Sequence, residues 1–170
     1  MPLNLELKTR IDSHKKIKII LNDIGAENMG TLNQKDIYYK VPDVLLKLRT
    51  ENGNESLIFY NRDEKSVNRW SDYNVLKFAD RIGENFLNRI FSVEVTVQKK
   101  RELYLYDNTR VHLDTVNSLG KFIELETLVV TSKTDAQRRF ERIIDLLELH
   151  GVEEIRKSYR DLMLETTSRK

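Results

Sequence analysis

The chain has no cysteine, which excludes both a disulfide framework and a thiolate metal centre. It also has no glycine-rich loop of the P-loop or dinucleotide type, so any phosphate recognition must fall to side chains. No apolar run approaches the roughly 20 residues needed to span a bilayer, and no signal-peptide pattern opens the sequence. A soluble, cytoplasmic protein with no membrane partner is the expectation. Charge of one sign is scarce as well: 29 basic and 27 acidic residues leave a net charge of +2. That argues against a nucleic-acid partner held by bulk charge. There is no internal repeat, no low-complexity tract and no linker.

What the chain does have is charge in unusual places. Charged residues make up 33% of its 170 residues, against roughly 25% in an average globular chain. Six short stretches set polar or charged residues two apart along a predicted strand. They are Asn4, Glu6, Lys8 and Arg10; Lys47 with Arg49; Tyr60 with Arg62; Lys99 with Arg101; Arg110, His112 and Asp114; and Glu124 with Glu126. Successive strand side chains point to opposite faces, so each set lines one face while its neighbours pack on the other. Any one pair, such as Lys47 and Arg49, reads equally well as a wet face or as a guard against edge pairing. Sign clustering favours a multivalent ligand, because an ordinary solvated face sets Lys opposite Glu across strands. Many cations with a few grouped carboxylates suit a polyphosphate and its divalent metal.

Strands are predicted at 3–10, 34–40, 45–50, 56–62, 70–78, 92–98, 99–106, 109–115 and 121–130. The pair 45–50 and 56–62 flanks Glu51-Asn52-Gly53-Asn54, a strong hairpin signal. Asp12 or Ser13 can cap a first helix closed by Gly25, with Ile17, Ile20, Leu21 and Ile24 on one side. Further helices are predicted at 79–89, with Ile82, Phe86, Leu87 and Ile90 at helical spacing, at 134–150, and at 157–164. The strand-rich middle predicts an antiparallel sheet closed on itself. One domain over 1–165 is expected, with 166–170 a disordered tail. His112 reads as a polar strand residue bonded to a neighbour in preference to a metal ligand. Lys157 reads equally as a solvated helix residue or a substrate contact.

These residues also resemble a known family. Asn4-Leu5-Glu6-Leu7-Lys8 is similar to the Glu-x-Glu-x-Lys opening of the CYTH family, the triphosphate tunnel metalloenzymes, with the first glutamate replaced. The likeness continues through Gln34-Lys35-Asp36-Ile37-Tyr38-Tyr39, Leu46-Lys47-Leu48-Arg49, Tyr60-Asn61-Arg62 and Lys99-Lys100-Arg101-Glu102-Leu103-Tyr104. It extends to Thr109-Arg110-Val111-His112-Leu113-Asp114 and Leu119-Gly120-Lys121-Phe122-Ile123-Glu124-Leu125-Glu126. Lys157-Ser158-Tyr159-Arg160-Asp161-Leu162-Met163 resembles the ending of the class IV adenylate cyclase branch.

The resemblance implies an α+β fold, a closed antiparallel barrel of about eight strands forming a tunnel, with helices packed outside. It implies Mg²⁺ or Mn²⁺ held by Glu6, Glu124 and Glu126, with Asp114 and Asp72 as further carboxylates. It implies phosphate contacts from Lys47, Arg49, Arg62, Lys99, Arg101 and Arg110, and places Glu6, Lys8 and Arg110 at the reaction itself. The partner implied is ATP or another triphosphate, bound by a monomer or homodimer. Asn4 departs from the pattern: an amide oxygen can ligate a hard cation but brings no negative charge, which puts a second metal in doubt. Three functions follow: an adenylate cyclase making cyclic AMP and pyrophosphate; a triphosphatase acting on inorganic triphosphate, thiamine triphosphate or a nucleoside triphosphate; and a non-catalytic polyphosphate-binding module.

Overall fold

Alternation between apolar and ionic residues decides which side of each strand meets a helix. A computed structural model of the chain describes residues 4–61 and 72–168. In chain order its elements are β1 (Asn4–Arg10), α1 (Lys15–Asp23), β2 (Glu27–Tyr39), β3 (Leu45–Glu51), β4 (Asn54–Asn61) and β5 (Asp72–Lys77), then α2 (Gly83–Ile90). They continue as β6 (Val93–Tyr106), β7 (Thr109–Val116), β8 (Gly120–Leu128), α3 (Lys133–Leu146) and α4 (Tyr159–Thr167).

Two compact units divide the chain. The first takes the chain up to Thr31, Lys100–Val116 and Gly120–Arg156. Its core joins Val111 and Leu113 of β7 and Ile123 and Leu125 of β8 to Ile17 and Leu21 of α1 and Ile143 of α3, with Leu147 and Leu149 just beyond that helix. Each such side chain contributes about 1.5–3 kcal/mol by burial. Because the odd-numbered residues of β7 and β8 face the helices, the even-numbered ones, 110 to 114 and 124 to 126, face away. The second unit comprises Leu32–Lys99, Asn117–Leu119 and the chain from Lys157. There Ile37 and Tyr39 of β2, Leu46 and Leu48 of β3 and Leu87 of α2 form the core. Asp36, Lys47 and Arg49 alternate with these residues, so they too line the opposite face.

The eight strands run in the order β1-β8-β7-β6-β2-β3-β4-β5. The closed barrel around a tunnel expected above is corrected: the sheet is open, with β1 and β5 as its two outer strands. The physical reason is visible at β1, whose outer edge is met by another part of the chain. The Ile155 amide donates to the Lys8 carbonyl at 2.7 Å, and the Thr9 hydroxyl donates to the Glu153 carbonyl at 2.8 Å. An edge covered in this way needs no ninth partner and no closure.

The β3–β4 hairpin forms as its Asn-Gly signal requires, with Glu51 opposite Asn54 and positive φ at Asn52 (46°) and Gly53 (88°). The two strands predicted at 92–98 and 99–106 are one continuous strand, β6. The predicted 34–40 strand is the second half of the longer β2. Of the apolar residues at helical spacing around α2, Leu87 is buried whereas Ile82, Phe86 and Ile90 are exposed.

Candidate functional site

Cross-strand register assembles two ionic rows from three strands. Glu124 of β8 lies directly opposite Lys8 of β1 on one side and His112 of β7 on the other. Glu126 lies opposite Glu6 and Arg110 in the same way. Asn4, in place of the first glutamate of the opening motif, sits opposite Leu128, one pair further along. The rows exist because all these residues share the face turned away from α1 and α3.

Ion pairs lock several members in place. Lys8 Nζ stands 3.3 Å from Glu124 Oε1. Arg101 of β6 donates from Nε and Nη2 to both oxygens of Asp114, each at 2.7 Å, and from Nη2 to Glu124 Oε2 at 2.7 Å. A planar fork held at two oxygens has one orientation, so Arg101 presents a fixed charge. Asp114 is fully buried beneath it. Arg110 is the open member of the group: its side chain is 46% exposed and stands 3.6 Å from Glu126.

His112, Glu124 and Glu126 bring potential metal-ligating atoms within 4.8 Å of one another. His112 is 4% exposed, and its Nδ1 is buried with no hydrogen-bond partner. The expectation that this imidazole would be satisfied by a neighbour is therefore corrected at Nδ1. An orphaned buried nitrogen facing two carboxylates fits a cation, since Nδ1 otherwise bears the cost of burial without a partner.

A separate ionic group belongs to the second unit. Asp36 of β2 is 3% exposed and receives Lys47 Nζ at 2.9 Å, Arg49 Nε at 2.7 Å and Arg49 Nη2 at 2.7 Å. Burial alone would raise the Asp36 pKa. The Lys47 charge and the Arg49 hydrogen bonds outweigh it and hold the carboxyl well below the usual carboxylate range. Thus Lys47 and Arg49 are not left to repel each other; the strand beside them supplies the counter-charge. Lys99 of β6 is buried with its Nζ 4.9 Å above the Tyr159 ring, a cation–π geometry.

Asp72 opens β5 opposite Asn61. Arg62 lies outside the described residues. Lys157 forms an exposed ion pair with Glu165. Sequence reasoning missed Asp36 as a site residue, although it lies within the quoted run Gln34-Lys35-Asp36-Ile37-Tyr38-Tyr39. The signal was its alternation with Ile37: an acid on the ionic face of β2, set in register opposite Arg49.

A family model for the CYTH domain matches residues 3–159, and the chain belongs to the CYTH family. A Methanocaldococcus jannaschii protein named "putative adenylate cyclase" is 25% identical over 171 residues, covering 94% of this chain and 98% of that one. Two solved structures from Pyrococcus horikoshii OT3 share the fold. One has a TM-score of 0.79 at 23% identity, covering 96% of this chain and 99% of its own. The other has a TM-score of 0.73 at 28% identity with the same coverages. No helix among the described residues is long and apolar enough to cross a membrane.

Proposed function

We propose that the protein is a divalent-metal-dependent enzyme acting on a triphosphate, and that it converts ATP to cyclic AMP and pyrophosphate. The observation that carries this reading is the pair of cross-strand rows, Lys8–Glu124–His112 and Glu6–Glu126–Arg110, which set carboxylates for a cation directly beside cations for phosphate. Family membership and the name of the M. jannaschii relative support the choice of reaction.

In this reading Glu6, Glu124 and Glu126 hold Mg²⁺ or Mn²⁺, hard cations that accept oxygen ligands beside substrate phosphates. When bound, the cation supplies charge neutralisation for the phosphate oxygens and the departing pyrophosphate. The chain's own residues do the positioning. Lys8, held against Glu124, and Arg101, oriented by Asp114, present fixed cations to phosphate oxygens. Arg110, exposed and paired only at longer range, can swing onto the substrate without breaking a short hydrogen bond. Lys47 and Arg49, both oriented by Asp36, are a further candidate group for phosphate oxygens on the second unit's own ionic face. For cyclisation these contacts must bring the ribose 3′-oxygen near the α-phosphorus, in line with the leaving pyrophosphate, and keep water from the γ-phosphorus.

The test is product analysis with ATP and with inorganic triphosphate, each with Mg²⁺ and with Mn²⁺. Cyclic AMP and pyrophosphate are expected from ATP. Chelation should abolish turnover, and Glu126→Gln should reduce it at least tenfold. Orthophosphate released from inorganic triphosphate, with no cyclic nucleotide from ATP, would assign the protein to the triphosphatases. Tight binding without any product would make it a polyphosphate-binding module.

A further inference from the structure

We propose that His112 is itself a metal ligand, so that Nδ1 with the Glu124 and Glu126 carboxylates forms a mixed nitrogen–oxygen site selective for Mn²⁺ and related transition ions over Mg²⁺. The inference rests on reading this sheet face as metal-binding and adds the ligand that sets which metal is taken.

Three observations converge on the imidazole. Nδ1 is buried without a hydrogen-bond partner on a residue 4% exposed. It stands 3.7 Å from Glu124 Oε2 and 3.9 Å from Glu126 Oε1. Those separations are too long for hydrogen bonds. They suit donors sharing one ion, since ligands bound at about 2.1 Å stand about 3 to 4.2 Å apart across the usual angles. Finally, Glu126 is under-supplied: its side chain is 20% exposed, and among the described residues its ion contacts are Arg110 at 3.6 Å and His112 at 3.9 Å. Glu124 differs, because Lys8 and Arg101 already offset it. A cation between Glu126 and Nδ1 would satisfy both groups at once.

The donor set decides the metal. Mg²⁺ demands oxygen ligands in near-ideal octahedral geometry, whereas an imidazole nitrogen is a better ligand for first-row transition ions.

Direct binding of Mn²⁺ and of Mg²⁺ to the nucleotide-free protein, with pulsed EPR of the bound Mn²⁺, tests this without recourse to activity. Wild-type protein should bind Mn²⁺ at least tenfold more tightly than Mg²⁺ and show nitrogen coupling that changes when histidine is labelled with ¹⁵N. His112→Asn keeps a polar atom near the Nδ1 position; it should lose the coupling and weaken Mn²⁺ binding about tenfold, with little change for Mg²⁺. The isotope experiment needs no substitution, so it stands even where the variant folds poorly. Mn²⁺ bound without nitrogen coupling, or coupling that survives in His112→Asn, would overturn the ligand assignment and leave the carboxylate metal site standing. Failure of wild-type protein to bind Mn²⁺ would overturn both.

Discussion

Asp36 shows how one buried residue can govern two others. Its carboxylate accepts from Lys47 and twice from Arg49, and it is 3% exposed. Removing the charge while keeping the shape, as in Asp36→Asn, takes the Asp36 counter-charge away from Lys47 and Arg49. Breaking one side of a buried pair costs about 3–5 kcal/mol. The variant should melt well below wild type at pH 7. The pH dependence carries a sign that can be checked. Because the folded pKa is depressed, Asp36 contributes its full stability above the unfolded carboxylate range, near pH 4. Below it the unfolded chain takes up the proton first, so stability falls as pH falls toward the folded value. Wild-type unfolding free energy should therefore drop more steeply than that of Asp36→Asn between pH 4 and pH 2. Parallel curves in chemical denaturation would remove Asp36 from this role. The strand alternation made Lys47 and Arg49 legible as charged-face residues. It did not disclose Asp36 as their anchor, because that needs the β2–β3 register, and a slip of one residue would have turned Asp36 to the other face.

At the scale of elements, helix ends were the least legible feature. The sequence predicts a helix over 134–150 with Gly151 at its end, yet α3 stops at Leu146. Leu149 is the reason. It is 5% exposed in the first unit's core, and its amide folds back to donate to the Ile144 carbonyl at 2.9 Å. That hydrogen bond, with Glu148 donating to Asp145, closes the helix in a Schellman arrangement. The arrangement requires a left-handed residue, and Glu148 takes it at φ 55°. Apolar periodicity continued to Leu149, so it concealed a chain reversal that the core demanded. Glycine adopts this conformation without the Cβ penalty that glutamate bears. Glu148→Gly should therefore stabilise the protein by about 0.5–1 kcal/mol, raising Tm by about 1–4 °C for a chain of this size. The exposed Lys16 ion pair it forfeits offsets little of this. A Tm at or below wild type would mean that the Glu148 side chain contributes more than its backbone costs. By contrast, Ser132 and Ser158 cap α3 and α4 through bonds that local sequence alone supplies, Ser158 within a full capping box with Asp161.

For the whole molecule, the family and the ionic face were legible from the order of short motifs, but sheet closure was not. Closure depends on what meets the outer strands, and no local pattern in Asn4–Arg10 or Asp72–Lys77 records that. The Ile155 amide and Thr9 hydroxyl supply the answer at β1, where the 153–155 segment covers the edge. An exposed edge is a template for pairing with another chain, so this cover protects solubility as well as stability. Ile155→Pro tests the point, since proline has no amide to donate to the Lys8 carbonyl. Losing the hydrogen bond to the carbonyl of the buried Lys8 should cost about 1–3 kcal/mol. It should also uncover the strand that carries Glu6 and Lys8. The expected result is a lowered Tm together with concentration-dependent self-association in sedimentation velocity, under conditions where wild-type protein shows none of that dependence. Ile155→Ala separates backbone from side chain: it keeps the amide and should remain dispersed even if it melts lower. Self-association of both variants alike would place the effect in the Ile155 side chain and leave the edge of β1 without this protector.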